Sequence, residues 1–208
     1  ADEIAYIVEQ SGTETIFYDR QLEDQLSGIG SDVARIDCGG ELESLIAGGS
    51  DEPLESWLED EYDLIAINYT SGTTGRPKGV MFHHRGAFLN AMTMALDIGL
   101  GRDSSYLWTL PMFHCNGWTF PWALAAVGGK SVCMPAVDPA RAWQLFDTGV
   151  THFCAAPTVL TMLANDQTAH RLETPVHLFT AGAPPSPTLI AQMAAFNFEL
   201  DHVYGLTE

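Results

Sequence analysis

At 208 residues, 46% of them hydrophobic and 10% aromatic, the chain is long enough to bury a core in one large or two small domains. Its 27 acidic residues against nine basic ones leave a net charge of −18, a surface that repels nucleic acid and anionic membranes alike. No apolar run approaches the roughly 18 residues a membrane span requires; the most apolar stretch, Trp118–Val127, is short and contains Pro121. The charge is lopsided. Residues 1–64 carry 18 acidic side chains against Arg20 and Arg35, a net of −16, while residues 65–208 come close to balance. A solvated acidic face suited to concentrated salt, where screening shortens repulsion to a few ångströms, is the plainer explanation; a dedicated basic partner is the sharper one. The start, Ala1-Asp2-Glu3, lacks the basic-then-apolar layout of a secretory signal. Cys38, Cys115, Cys133 and Cys154 show no metal or disulfide spacing and read as small buried hydrophobes of a reduced compartment.

Along the chain, Asp2 is placed to cap a helix with Ile4, Ile7 and Val8 on one face. Strands are expected at Thr15–Tyr18 and Val33–Ile36. Ser50–Asp63 is polar and reads as loop with a short surface helix. Leu64-Ile65-Ala66-Ile67 is a continuous apolar run, the pattern of a strand covered on both faces. A helix at Arg85–Ile98 puts Phe88, Met92 and Ala95 at helical spacing. It is followed by a strand at Tyr106–Leu110, an apolar helix around Trp118–Val127 and a strand at Ser131–Met134. Asp138-Pro139 reads as N-cap and first helical residue, with Ala142, Leu145 and Phe146 facing inward. A strand at Thr151–Ala155, a helix opened by Pro157, and a strand at His177–Thr180 come next. Ser186-Pro187 then caps a helix bearing Leu189, Ile190 and Met193, and Phe198–Val203 is the last strand. This alternation predicts an α/β fold, a layered, largely parallel sheet flanked by helices.

The densest chemical signal is Tyr69-Thr70-Ser71-Gly72-Thr73-Thr74-Gly75-Arg76-Pro77-Lys78-Gly79, directly after the strand at Leu64–Asn68. Its three glycines let backbone amides approach a ligand closely. The hydroxyls of Thr70, Ser71, Thr73 and Thr74 add donors, and Lys78 adds a point charge. The set suits a polyphosphate, although composition alone would equally describe an ordinary Gly/Ser/Thr turn. A Walker loop finds no register, because Pro77 precedes Lys78 and Gly79 follows it. Two further segments are a Pro/Gly loop, Thr180-Ala181-Gly182-Ala183-Pro184-Pro185, and the C-terminal Tyr204-Gly205-Leu206-Thr207-Glu208. A third, Leu110-Pro111-Met112-Phe113-His114-Cys115-Asn116-Gly117-Trp118, precedes the apolar helix. His83-His84 have no metal spacing and read as a turn.

Taken in order, these strings resemble the superfamily of adenylate-forming enzymes: acyl-CoA synthetases, peptide-synthetase adenylation domains and beetle luciferases. The resemblance implies that Thr70, Ser71, Gly72, Thr73, Thr74 and Gly75 wrap the β- and γ-phosphates of ATP with Lys78 beside them. It implies that Thr180–Pro185 is the adenine-binding turn, with Gly182, Ala183 and Pro184 at the cofactor, that Tyr204 packs on the base, and that Gly205 belongs to the same cofactor-binding set. Thr207 would touch the α-phosphate and Glu208 would hold Mg²⁺. The segment around His114 looks like that of acyl-CoA synthetases acting on short, medium or aromatic acids, with His114 gating the carboxylate channel; its plainer alternative is a core histidine. Lys78, His114, Thr207 and Glu208 are thus the implied catalytic set, and ATP, Mg²⁺ and CoA the implied cofactors. A small-molecule carboxylic acid is the implied partner, fatty-acid metabolism the context and the cytoplasm the expected location.

The family's ribose-binding Asp, its hinge and its C-terminal domain with a catalytic Lys have no counterpart here. The resemblance therefore implies an incomplete N-terminal domain over residues 1–208. Residues 1–64 form its acidic α/β part, residues 65–208 its phosphate-loop, acyl-channel and adenine-binding part. Activity is expected of a full-length protein and not of this chain alone. The alternative is a non-catalytic nucleotide-binding relative or an acidic interaction module.

Overall fold

A computed structural model describes residues 2–55, 58–71 and 75–207. It divides into two compact units, residues 1–81 and 82–208.

The first unit begins with helix α1 (Asp2–Ser11), whose first turn holds Asp2 and Glu3, acids that favour a helix N-terminus. Asp2 is the first helical residue and not a flanking cap. Strands β1 (Thr15–Tyr18) and β2 (Ala34–Asp37) pair in parallel, Thr15 opposite Ala34. Between them lies a 3₁₀ segment, Arg20–Leu26, capped by Asp19, whose carboxylate accepts from the Gln21 N–H at 2.9 Å. Asp37 is buried but paired: Arg20 reaches it at 2.7 Å and the Gly39 N–H donates to it at 3.0 Å. Helix α2 (Glu41–Ala47) lies between Gly40 and Gly48 and buries none of its residues. That is why no apolar periodicity announced it. The short surface helix expected within Ser50–Asp63 does not form among the described residues. Strand β3 (Leu64–Thr70) pairs with β4 (Lys78–His83) as a two-stranded sheet. The apolar run at its start is not covered on both faces: Leu64 is 44% and Ile65 36% exposed.

The second unit is a five-stranded sheet in the order β6-β5-β7-β8-β9, with every pair parallel. Its elements run from α3 (His84–Asp97) and β5 (Ser105–Trp108) to a short turn α4 (Cys115–Trp118) and helix α5 (Phe120–Val127). Then come β6 (Lys130–Cys133), α6 (Pro139–Asp147), β7 (His152–Cys154), α7 (Pro157–Ala164), β8 (Val176–Thr180), α8 (Pro187–Ala195) and β9 (Phe198–His202). The predicted caps form as read. Asp138 accepts from Arg141 N–H at 3.1 Å, and Ser186 from Leu189 N–H at 3.2 Å. Each is followed by proline at the first helical position, where a missing N–H costs nothing.

Because strand side chains alternate faces, the sheet builds two cores. Leu107, Phe153 and Leu178 point into one, filled from α6, α7 and α8 by Trp143, Phe146, Leu160, Leu163, Leu189 and Met193. Tyr106, Trp108, Cys154 and Phe179 point into the other, with Phe120 and Leu124 of α5. Helices on both faces are what an all-parallel sheet requires. Trp143, not anticipated as core, is 1% exposed, and its indole N–H donates to the Leu163 carbonyl at 3.1 Å. Helix α3 buries Ala87, Ala91 and Ala95 rather than Phe88, which is 64% exposed. Small residues four apart let α3 approach Ala123 of α5 closely. His83 and His84 are not a turn: His83 ends β4 and caps α3, its Nδ1 accepting from Gly86 N–H at 2.9 Å. Of the four cysteines only Cys154 is buried; Cys38 and Cys133 are exposed and Cys115 lies between. Burial pushes the Cys154 thiol up to about 12, so it stays a protonated hydrophobe.

Candidate active site

In an open parallel sheet, ligands collect where the strands end at their carboxyl side. Here the chain leaves β5 into the segment around His114, β7 into Ala155-Ala156, β8 into Ala181-Gly182, and β9 into Val203–Thr207. These exits, with Asn90 and Met94 of α3, enclose a cleft of about 360 Å³ within the second unit. Its lining includes the apolar side chains of Phe82, Met94, Leu110, Trp118 and Val203. It also includes His114, Cys115, Gly182, Tyr204, Gly205 and Thr207. Three strings picked out from the sequence thus meet in one place. Backbone bonds fix the exits: Ala155 N–H donates to the Phe179 carbonyl and Val203 N–H to the Thr180 carbonyl, each at 2.9 Å. Thr109 adds a hydroxyl bond to the Cys154 carbonyl at 2.6 Å.

The described lining contains no carboxylate and no lysine or arginine. Apolar surface with a few polar groups is the composition of a small-molecule site. Tyr204 is 89% exposed, so its ring is open to stack on a planar ligand. Ala183 and Pro184 are exposed and stand outside the lining. Glu208 lies outside the described residues, and among those described no group of three or more His, Cys, Asp or Glu gathers as a metal would need.

The approach to the cleft from β5 is unusual. Cys115, Asn116, Gly117, Trp118 and Thr119 all have positive φ, from 50° to 64°, so α4 is a left-handed turn. Such backbone costs roughly 1–2 kcal/mol for each residue with a Cβ, and it persists only where the surroundings impose it. Gly117 shows the imposition. It is buried against Trp108, where a Cβ would lie 2.7 Å from the indole ring. Gly117 N–H donates to the His114 carbonyl at 2.9 Å, and Thr119 N–H to the Asn116 carbonyl at 3.1 Å. Phe120, next in line, stacks on Tyr106 with ring centroids 4.6 Å apart. The turn leaves His114 exposed at the rim. It brings Cys115 Sγ to 3.2 Å from Thr207 Oγ1 and 3.8 Å from His114 Nε2. No feature of the sequence signals four non-glycine residues in this conformation.

The phosphate-loop string belongs to the first unit. Thr70 ends β3, Ser71 is exposed, and Lys78 opens β4 with its side chain exposed. Gly72, Thr73 and Thr74 lie outside the described residues. Gly75 has φ of 110°, a value that favours glycine. Gly79 is required for a different reason: a Cβ there would sit 2.8 Å from Ile67 Cγ2, between the two strands. Helix α1 holds both stems of the loop. Tyr6 donates its hydroxyl to the Pro77 carbonyl at 3.3 Å, and Arg76 lies 5.3 Å over the Tyr6 ring. On the other stem, Tyr69 donates to Gln10 Oε1. Contacts between residues some sixty or seventy positions apart are not readable from local pattern, which is why α1 carried no functional expectation.

The family model of the AMP-binding enzymes matches residues 1–208. Among curated proteins, the chain is 46% identical over 190 residues to 4-hydroxybutyrate–CoA ligase 2 of Metallosphaera sedula, covering 90% of this chain and 35% of that protein. It is 45% identical over 174 residues to the peroxisomal acetate/butyrate–CoA ligase AAE7 of Arabidopsis thaliana, covering 81% and 30%. Among solved structures, the inhibitor-bound N-terminal domain of FACL13 from Mycobacterium tuberculosis aligns over all of this chain and 54% of its own, with a TM-score of 0.83 and 29% identity. The chain belongs to the AMP-binding enzyme family. It spans about a third of the length of the curated relatives it matches.

Proposed function

We propose that the complete protein is an AMP-forming acid–CoA ligase acting on a short-chain carboxylic acid. The observation that carries this is the meeting of the three strings, around His114, Gly182 and Thr207, in one cleft at the strand ends. The acid's carboxylate attacks the α-phosphorus of ATP, pyrophosphate leaves, and the thiol of CoA then attacks the acyl carbonyl and releases AMP. Charge accumulates on phosphate oxygens, so catalysis is chiefly positioning and preorganised electrostatics. Lys78 and the amides of Thr70–Gly75 take the β- and γ-phosphates, and Thr207 donates to the α-phosphate. Gly182, Ala183, Pro184, Tyr204 and Gly205 take the adenine, and His114 at the rim admits the acid. Glu208 is assigned the Mg²⁺ that offsets part of the triphosphate's charge.

The short-chain class is supported by the names of the two curated relatives, a 4-hydroxybutyrate and an acetate/butyrate ligase. The modest cleft points the same way. Acid-dependent ATP–pyrophosphate exchange by the complete protein, run with straight-chain acids from two to ten carbons and with CoA thioester formation as second readout, tests both parts. Exchange that peaks at two to six carbons is expected. Exchange with no acid in the panel would leave a nucleotide-binding relative without turnover.

A further inference from the structure

We propose that Cys115 is a positioning residue for the adenylation step: its thiol, held between His114 and Thr207, sets the direction in which the Thr207 hydroxyl donates. The proposal rests on the adenylation reading above. Thr207 Oγ1 lies 3.2 Å from Cys115 Sγ, and His114 Nε2 lies 3.8 Å from the same sulfur, both within reach of hydrogen bonds to sulfur. All three residues line the same cleft.

A threonine hydroxyl has one proton. If that proton is spent on the sulfur, none is left for a phosphate oxygen. If instead the thiol donates S–H to Oγ1, the hydroxyl proton is freed to point into the cleft. The sulfur's lone pair is then open to an N–H from His114 Nε2, in the tautomer that carries its proton there. Every proton in this row then has one place. The row ends in a donor aimed where the α-phosphate oxygen gains charge, and such a donor acts only if its direction is fixed beforehand.

The backbone explains why a cysteine can do this from an adjacent position. A side chain next to a gating histidine would ordinarily point away from it. The left-handed turn, with φ of 50° at Cys115 and 58° at Gly117, turns Cys115 toward the β9 exit, 92 residues further along the chain. Trp108 locks the turn by filling the space a side chain at 117 would need. Cys115 is also the only one of the four cysteines that lines the described cleft.

The test is acid-dependent ATP–pyrophosphate exchange by the complete protein carrying Cys115→Ala, Cys115→Ser, Thr207→Ala or Cys115→Ala with Thr207→Ala. Cys115→Ala is expected to lower kcat about five- to tenfold, equivalent to about 1–1.4 kcal/mol, with KM for ATP changed less than about twofold. Cys115→Ser keeps an O–H donor and is expected to restore most of that loss. The double variant is expected to be no slower than Thr207→Ala, because the thiol acts only through the hydroxyl. Independent losses that multiply in the double variant overturn the proposal, as does a serine no better than alanine. If Cys115→Ala lowers the melting temperature, the serine and double variants still decide. A wild-type protein without exchange overturns the adenylation reading itself, whereas a wild type with exchange and an unaffected Cys115→Ala overturns this proposal alone.

Discussion

Lys78 is one of two lysines in the chain, the other being Lys130, and both are exposed at the start of a strand. Their likeness in setting makes them a matched pair for testing the phosphate-loop assignment. In the complete protein, Lys78→Ala is expected to lower kcat for adenylation by roughly ten- to a thousandfold, the range for losing one electrostatic donor. Lys130→Ala is expected to leave it within about twofold. Equal effects would remove the assignment. His114 makes a separable prediction. It is exposed and lines the same cleft as the apolar Met94, Leu110 and Trp118. His114→Ala should therefore raise KM for the acid and flatten the preference among acids, while the Kd for ATP holds. A matched rise in the ATP constant would move the histidine to the nucleotide side.

Elements were legible where their ends are written in local chemistry. Asp138-Pro139 and Ser186-Pro187 announced α6 and α8, and the strands expected at Thr151–Ala155 and His177–Thr180 are β7 and β8. Helices without a buried face, such as α2, left no period to read. The left-handed turn was illegible because it is imposed from outside, by Trp108 behind Gly117. Gly117→Ala tests that account. The new Cβ meets the indole at 2.7 Å in a backbone that disfavours any side chain. Overpacking costs about 1–3 kcal/mol and left-handed backbone about 1 more, so the melting temperature should fall by several degrees. A shift under one degree would mean that the turn rearranges freely.

Strand β7 makes a further claim about pH. His152 is buried, its Nε2 3.1 Å from the Ile98 carbonyl and its Nδ1 2.7 Å from Thr151 Oγ1. The carbonyl can only accept, so Nε2 carries a proton. It also stacks on His177 at 4.9 Å. Burial lowers its pKa below the usual histidine value, the Ile98 bond opposing and His177 adding to the fall. The unfolded chain then takes up a proton first, so stability is full above about pH 6.5 and is lost as pH falls toward the lower folded value. His170 acts with the opposite sign. The Thr168 carbonyl and then Asp147 raise its pKa, so its contribution is present below about pH 6.5 and disappears as pH rises through the raised value. It is largely exposed, so the buried histidine should dominate. His152→Gln, which can still donate to Ile98 but does not titrate, should flatten the acid side of the melting-temperature profile between about pH 7 and 5. An unchanged acid slope would assign it to the surface carboxylates.

At the scale of the whole molecule, charge and core are distributed in opposite senses. The first unit, residues 1–81, holds 18 acidic residues against Arg20, Arg35, Arg76 and Lys78. Its described buried residues are Leu26, Ile29, Asp37 and Asn68, only two of them hydrophobic. The second unit carries nine acids against five bases and nearly all of the buried hydrophobic side chains. Self-repulsion therefore falls on the unit least able to oppose it by burial. Of its acids, Asp37 is neutralised by Arg20 at 2.7 Å, whereas most of the others lie on exposed positions, where salt reaches them. Screening shortens the range of repulsion from about 10 Å at 0.1 M to about 3 Å at 1 M ionic strength. The melting temperature of the chain should therefore rise with KCl, steeply below about 0.5 M, where the screening length changes most, and gently above. Hydrogen exchange should show the gain unevenly: amides of α1, β1 and β2 should become more protected as salt rises, while those of β5, β7 and β8 should change little. A melting temperature that is flat or falls with salt would remove the electrostatic account. A rise that continues without slowing to 3 M, equal in both units, would assign the effect to exclusion of salt from the surface, which acts on buried area and not on charge.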